Sequence, residues 1–184
     1  MNDNGAGYSV AIKSSFSAIN AISSSGSNAK SLHMLACNDG TPCKLRRLCR
    51  AVMSEKPTGK LIGGNLSVLY GLQGTPYSLN KIIEQCVEAP ILFIEDISEN
   101  HYHIDRMLQN LRLSGVFEKI SGLVVGQFTD CADDVSMGCS LLESIRQIAE
   151  PYSFPILFDY PSGHIDSNYP LLFSQEYHLS ITNF

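Results

Sequence analysis

Several things are scarce in this 184-residue sequence, and each absence closes off a class of protein. No apolar run approaches the ~20 residues that a membrane-spanning helix needs. The N-terminus lacks a basic, then apolar, then small-residue layout, so no secretory leader is expected. Net charge is −5 and no basic run is longer than "KLRR", which argues against nucleic acid as the main partner. Cys37, Cys43, Cys49, Cys86, Cys131 and Cys139 form no C-x-x-C pair, so they are read as reduced thiols rather than a disulfide framework. Together these absences predict a soluble, cytoplasmic protein with no membrane partner. What is present suffices for a core: 44% of residues are hydrophobic and 17% charged, the balance of one globular domain with, at most, an attached fragment.

The texture of the chain changes near residue 60. Before it, "YSVAI" reads as one strand and "SSSGSNAKS" as a Ser-rich loop. "KLRRLCRAVM" places Leu45, Leu48, Cys49 and Val52 on one helical face, and "SEKPTG" reads as a linker. From Lys60 onward, short strands and helices alternate. "KLIGGN" is a strand entering a glycine turn, and "LSVLYGLQ" a short helix. "ILFIE" (Ile91 to Glu95) is a buried strand, followed by a helix from about His101 to Leu113 that turns Ile104, Met107, Leu108 and Leu111 inward. "GLVVGQF" is a β-branched run of the kind covered on both faces. "SLLESIRQIA" reads as a helix, "FPILF" as a strand and "EYHLSI" as a closing strand of period two. This alternation predicts an α/β fold, a mixed and largely parallel sheet with flanking helices.

In such sheets, reactive groups gather in loops beyond the carboxyl ends of the strands. Glu95 sits at one strand end, and His164, in "DYPSGHID", just after another. A carboxylate bonded to one imidazole nitrogen fixes the ring's tautomer and frees the other nitrogen as a general base. Pro161 and Gly163 would shape the turn that aims the ring. Both residues also have plainer readings: a strand-end Glu often serves a helix N-terminus, and a loop His is often only a surface group. Asp96, Ser98 and Glu99 fit the start of the following helix, with Ser98 or Asn100 as its cap. His101 and His103 stand two apart and point to different sides of that helix, a spacing that matches no zinc site. "LIGGN" lacks both G-x-G-x-x-G and a P-loop ending, so its glycines are read as allowing close backbone packing. No metal and no cofactor are expected.

"GKLIGGNLSVLYGLQGTPY", "ILFIEDISENHYHIDRML", "GLVVGQFTDC" and "PILFDYPSGHID" resemble, in that order, the C-terminal domain of the LD-carboxypeptidase family, over roughly Lys60 to Phe184. That family includes the murein tetrapeptide carboxypeptidases and the related microcin self-immunity peptidases. The resemblance implies a serine peptidase with a Ser–His–Glu triad that removes a terminal D-amino acid, typically D-alanine, from peptidoglycan tetrapeptides. It implies that Glu95 and His164 are the triad's Glu and His. It further implies a peptidoglycan-derived peptide as partner, bound together with an N-terminal domain, and a possible homodimer.

The departures from the family pattern are equally specific. Its nucleophile stands in a Gly-x-Ser-Asp turn of an N-terminal domain, whereas this sequence has no Ser-Asp dipeptide and no G-x-S-x-G elbow. Ser9, in "GYSV", imitates the turn superficially but lacks the aspartate. The expectation is therefore a chain without its nucleophile segment: residues 1–59 a weakly ordered remnant and linker, residues 60–184 the domain carrying Glu95 and His164. The alternative is a truncated or degenerate, non-catalytic copy that only binds peptide or associates with other subunits.

Overall fold

The apolar runs after residue 57 become neighbouring strands of a single sheet. The computed structural model describes residues 8–14 and 57–183, and within them six strands: β1 (Tyr8–Ser14), β2 (Thr58–Asn65), β3 (Ile91–Ile97), β4 (Gly122–Thr129), β5 (Ile156–Leu157) and β6 (Glu176–Asn183). Their order across the sheet is β1-β6-β2-β3-β4-β5. β2 through β5 are parallel, β6 runs antiparallel to β2, and β1 antiparallel to β6. The sheet is thus mixed and largely parallel, and the fold is α/β.

The parallel strands follow one another in chain order, so each must be joined to the next by a crossover. Those crossovers carry α1 (Leu66–Gly71), α2 (Leu79–Ile83), α3 (His101–Leu113) and α4 (Leu141–Ala149). Because crossovers of one hand from strand to adjacent strand all return over the same side, the helices share one face. Ile62, Leu92, Ile94, Leu123 and Val125 of the strands pack there against Leu66, Leu108, Leu111 and Ile145 of the helices. The opposite face buries Leu61, Ile91, Phe93 and Val124 under Leu157, Tyr160, Tyr177 and Leu179. β3 lies between β2 and β4 with both faces covered, which is why Ile91 to Asp96 are all buried.

Local sequence explains the helix starts. Asn65 caps α1 by accepting from the Val68 N–H, and Ser140 caps α4 by accepting from the Glu143 N–H. α3 spans the expected residues, with Ile104, Met107, Leu108 and Leu111 buried. Asn100 occupies its cap position but makes no side-chain cap bond. α2 has no counterpart in the sequence pattern, because a five-residue helix shows too little periodicity. β5 is shorter than "FPILF" suggests, since the chain peels away from β4 after Leu157. The helix expected around Leu45 to Val52 lies outside the described residues. Among the described residues no helix is long and apolar enough to cross a membrane.

Gly63 gives the paired glycines their reason. It lies at φ +123°, and a Cβ there would sit 2.0 Å from the Phe93 carbonyl oxygen. The β2 backbone therefore closes on β3 where only glycine fits.

Candidate active site

Strand alternation divides the two acidic residues at the exit of β3. Glu95 shares the face of Ile91 and Phe93, whereas Asp96 shares the helix-covered face of Leu92 and Ile94. The two carboxylates consequently have different partners.

Asp96 is 1% exposed and accepts from Asn65 Nδ2 at 2.9 Å, Ser67 N–H at 2.9 Å and Ser67 Oγ at 2.7 Å. Its expected service to α3 is thereby corrected. β3 continues through it to Ile97, and its charge is satisfied by the first residues of α1 instead. Glu99 accepts from Ser67 Oγ and pairs with His103 Nδ1 at 3.0 Å. These bonds join the exits of β2 and β3, so Glu95 leaves the sheet from a fixed backbone.

On the other face, Glu95 Oε2 meets His164 Nδ1 at 2.8 Å, across 69 positions of sequence. The Glu95 side chain is 9% exposed and that of His164 48%, so a sheltered carboxylate holds a half-open ring. A carboxylate only accepts, so Nδ1 carries the hydrogen and the Nε2 lone pair is left available. Among the described residues Nε2 has no hydrogen-bond partner. The arrangement can take a proton at Nε2 while the carboxylate stabilises the resulting imidazolium.

Two backbone features bring the pair together. The β3–β4 register passes from Ile94↔Val125 to Asp96↔Phe128, so β4 has two residues, Gly126 and Gln127, opposite Glu95. Such a bulge re-aims side chains and loosens the ladder at its site. Gly163, next to the imidazole, lies at φ +146°, and a Cβ on it would stand 3.0 Å from the Gln127 carbonyl oxygen and 3.3 Å from Glu95 Oε2. A side chain there would push the loop off the carboxylate. The expected turn at Pro161 and Gly163 is present, and the isolated glycine of "VVGQF" is the sequence sign of the bulge.

The other histidines have different surroundings. His101, 1% exposed, accepts from the Asp134 N–H through Nδ1 at 3.3 Å and reaches Ser144 Oγ through Nε2 at 2.8 Å. With Nδ1 accepting, Nε2 must donate, so this ring cannot take a proton from Ser144. Cys139 Sγ also contacts Ser144 Oγ, at 3.2 Å. Sequence reasoning misses this polar contact between α3, α4 and the loop before α4, because a serine on an apolar helix face and a lone loop cysteine give no signal of their own. No group of three His, Cys, Asp or Glu residues among those described is arranged to hold a metal ion. Cys86, Cys131 and Cys139 are free, and burial pushes the Cys131 thiol up, with the Asp96 and Glu99 carboxylates adding to the effect. Ser9 falls on β1, separated from β3 by β6 and β2.

A strand-end carboxylate bonded to an imidazole is an arrangement suited to acid–base chemistry, and comparison with known proteins gives the family. Residues 58–179 match the LD-carboxypeptidase C-terminal domain, and the chain belongs to that family. It is 37% identical over 113 residues to a probable murein peptide carboxypeptidase of Bacillus subtilis, covering 59% of this chain and 33% of that protein. It is 31% identical over 110 residues to the murein tetrapeptide carboxypeptidase of Pseudomonas aeruginosa, covering 60% and 34%. The crystal structure of muramoyltetrapeptide carboxypeptidase from Oxalobacter formigenes superposes with a TM-score of 0.53 at 27% identity, covering 68% of this chain and 44% of that one. The chain spans about a third of the length of the curated relatives that it matches.

Proposed function

We propose that Glu95 and His164 are the orienting carboxylate and the general base of a serine LD-carboxypeptidase acting on murein-derived peptides. The observation that carries this reading is the 2.8 Å bond between Glu95 Oε2 and His164 Nδ1 at the carboxyl end of a parallel sheet. Membership of the family and the names of its relatives supply the substrate class. In the proposed reaction a serine hydroxyl attacks the carbonyl of the bond to the terminal D-amino acid. His164 Nε2 takes the hydroxyl proton and returns it to the leaving amine, while Glu95 holds the ring and balances its charge. This sequence has no Ser-Asp turn, so the serine is assigned to a partner domain of the family type, not to residues 58–179.

The test is a chimera in which residues 58–179 replace the matching third of the Bacillus subtilis relative. The chimera is expected to release D-alanine from an L,D-tetrapeptide. His164→Ala should lower kcat/KM by ~10²–10⁴-fold, the usual contribution of a positioned acid–base group. A folded, active chimera that is unaffected by His164→Ala would refute the assignment.

A further inference from the structure

The Glu95–His164 bond joins a strand to a loop, and the two are fixed in different ways. Glu95 is held by its pairing with Asn65 of β2, and its neighbours Ile94 and Asp96 by their pairing with β4. His164 lies beyond the end of β5, on chain that no longer pairs as a strand. Three hydrogen bonds tie residues Tyr160 to Ser162 back to β4. The Tyr160 N–H donates to the Val125 carbonyl at 3.0 Å, the Gln127 N–H to the Ser162 carbonyl at 2.9 Å, and Gln127 Nε2 to the Tyr160 carbonyl at 3.1 Å. Two of the three come from Gln127.

Gln127 belongs to the bulge facing Glu95, where β4 carries one residue more than β3. Without that extra residue, Gln127 would fall out of step with the loop. Its carbonyl and Cβ also form one wall of the slot that holds Gly163, and Glu95 Oε2 forms another. One residue thus touches the loop through its backbone, its side chain and its steric edge, next to the carboxylate that His164 must reach.

We infer that Gln127 is a positioning residue for His164: its side-chain amide sets the loop at the height where Nδ1 meets Glu95. The inference rests on reading the pair as base and orienter, but its test does not use activity. A role confined to gluing loop to strand would cost stability without changing the imidazole.

The readout is the tautomer of His164 in the full chain, from ¹⁵N NMR of the imidazole at alkaline pH, where the ring is neutral. In the unaltered protein the Nδ1–H form should dominate, because the carboxylate accepts that hydrogen. Glu95→Ala should restore the Nε2–H form that free imidazole prefers. Gln127→Met and Gln127→Glu keep the side chain's length but remove its donor, and each should produce at least half of the Glu95→Ala change in a chain that still unfolds cooperatively. If Glu95→Ala leaves the tautomer unchanged, the base-and-orienter reading falls, and this inference with it. If Glu95→Ala changes it and both Gln127 variants do not, only the positioning role is overturned. If neither Gln127 variant folds, the residue supports the fold rather than the histidine, and the inference is equally overturned.

Discussion

Adjacent residues at the exit of β3 have unrelated duties because a strand turns them to opposite faces. Glu95 meets an imidazole, while Asp96 satisfies donors at the start of α1. Asp96→Ala would leave the part-buried Asn65 Nδ2 and Ser67 N–H without their acceptor, while Ser67 Oγ keeps Glu99. It should lower stability in urea by about 2–3 kcal/mol, and a loss below about 0.5 kcal/mol would show that water replaces the carboxylate. Cys131 offers a second test: with its thiol pushed up by burial, less of it is thiolate at mildly alkaline pH. Its reaction with a disulfide reagent at about pH 8 should be several-fold slower than that of a free cysteine peptide, and an equal rate would contradict the burial. Glu95 and His164 are legible in the sequence because both follow apolar runs that end abruptly, and the family resemblance pairs them. The duty of Asp96 is not, because its partner Ser67 lies 29 positions upstream, and no local pattern links a strand exit to an earlier helix.

At the scale of elements, β3 depends on how closely β2 can approach it. Gly63→Ala would drive a Cβ into the Phe93 carbonyl, whereas a Cβ on Gly64, at φ +145°, would meet no atom within 4 Å. Gly63→Ala is expected to cost at least ~3 kcal/mol and Gly64→Ala only the smaller strain of its backbone, roughly 1–2 kcal/mol. Equal costs in chemical denaturation would mean that close packing at Gly63 is not what fixes the β2–β3 spacing. Elements with several turns are the readable ones: α3 and α4 each place four or more buried side chains on one face. α2 has too few residues to show a period, and β5 is cut short by the loop that carries His164. The β4 bulge leaves one mark in the sequence, the glycine of "VVGQF", but not its register.

For the molecule as a whole, the helices shield one face of the sheet, and the opposite face presents Glu95 and His164 at the strands' carboxyl end. Under the proposed function the acid–base pair lies on this chain, and the nucleophile is a serine of a Ser-Asp turn that its sequence does not contain. The 184-residue chain alone is therefore expected to release no D-alanine from an L,D-tetrapeptide. Release that disappears in His164→Ala would locate a serine within the chain itself, with Ser9 the first to replace.

The central claim is that Glu95 and His164 work as one unit, and a double-mutant cycle in the active chimera tests it most directly. Glu95→Gln, His164→Ala and the double variant are compared by kcat for D-alanine release. If Glu95 acts only through the imidazole, removing it matters little once the imidazole is gone. The double variant should then be no slower than His164→Ala alone. Losses that multiply would contradict the account, because Glu95 would be contributing to catalysis independently of His164.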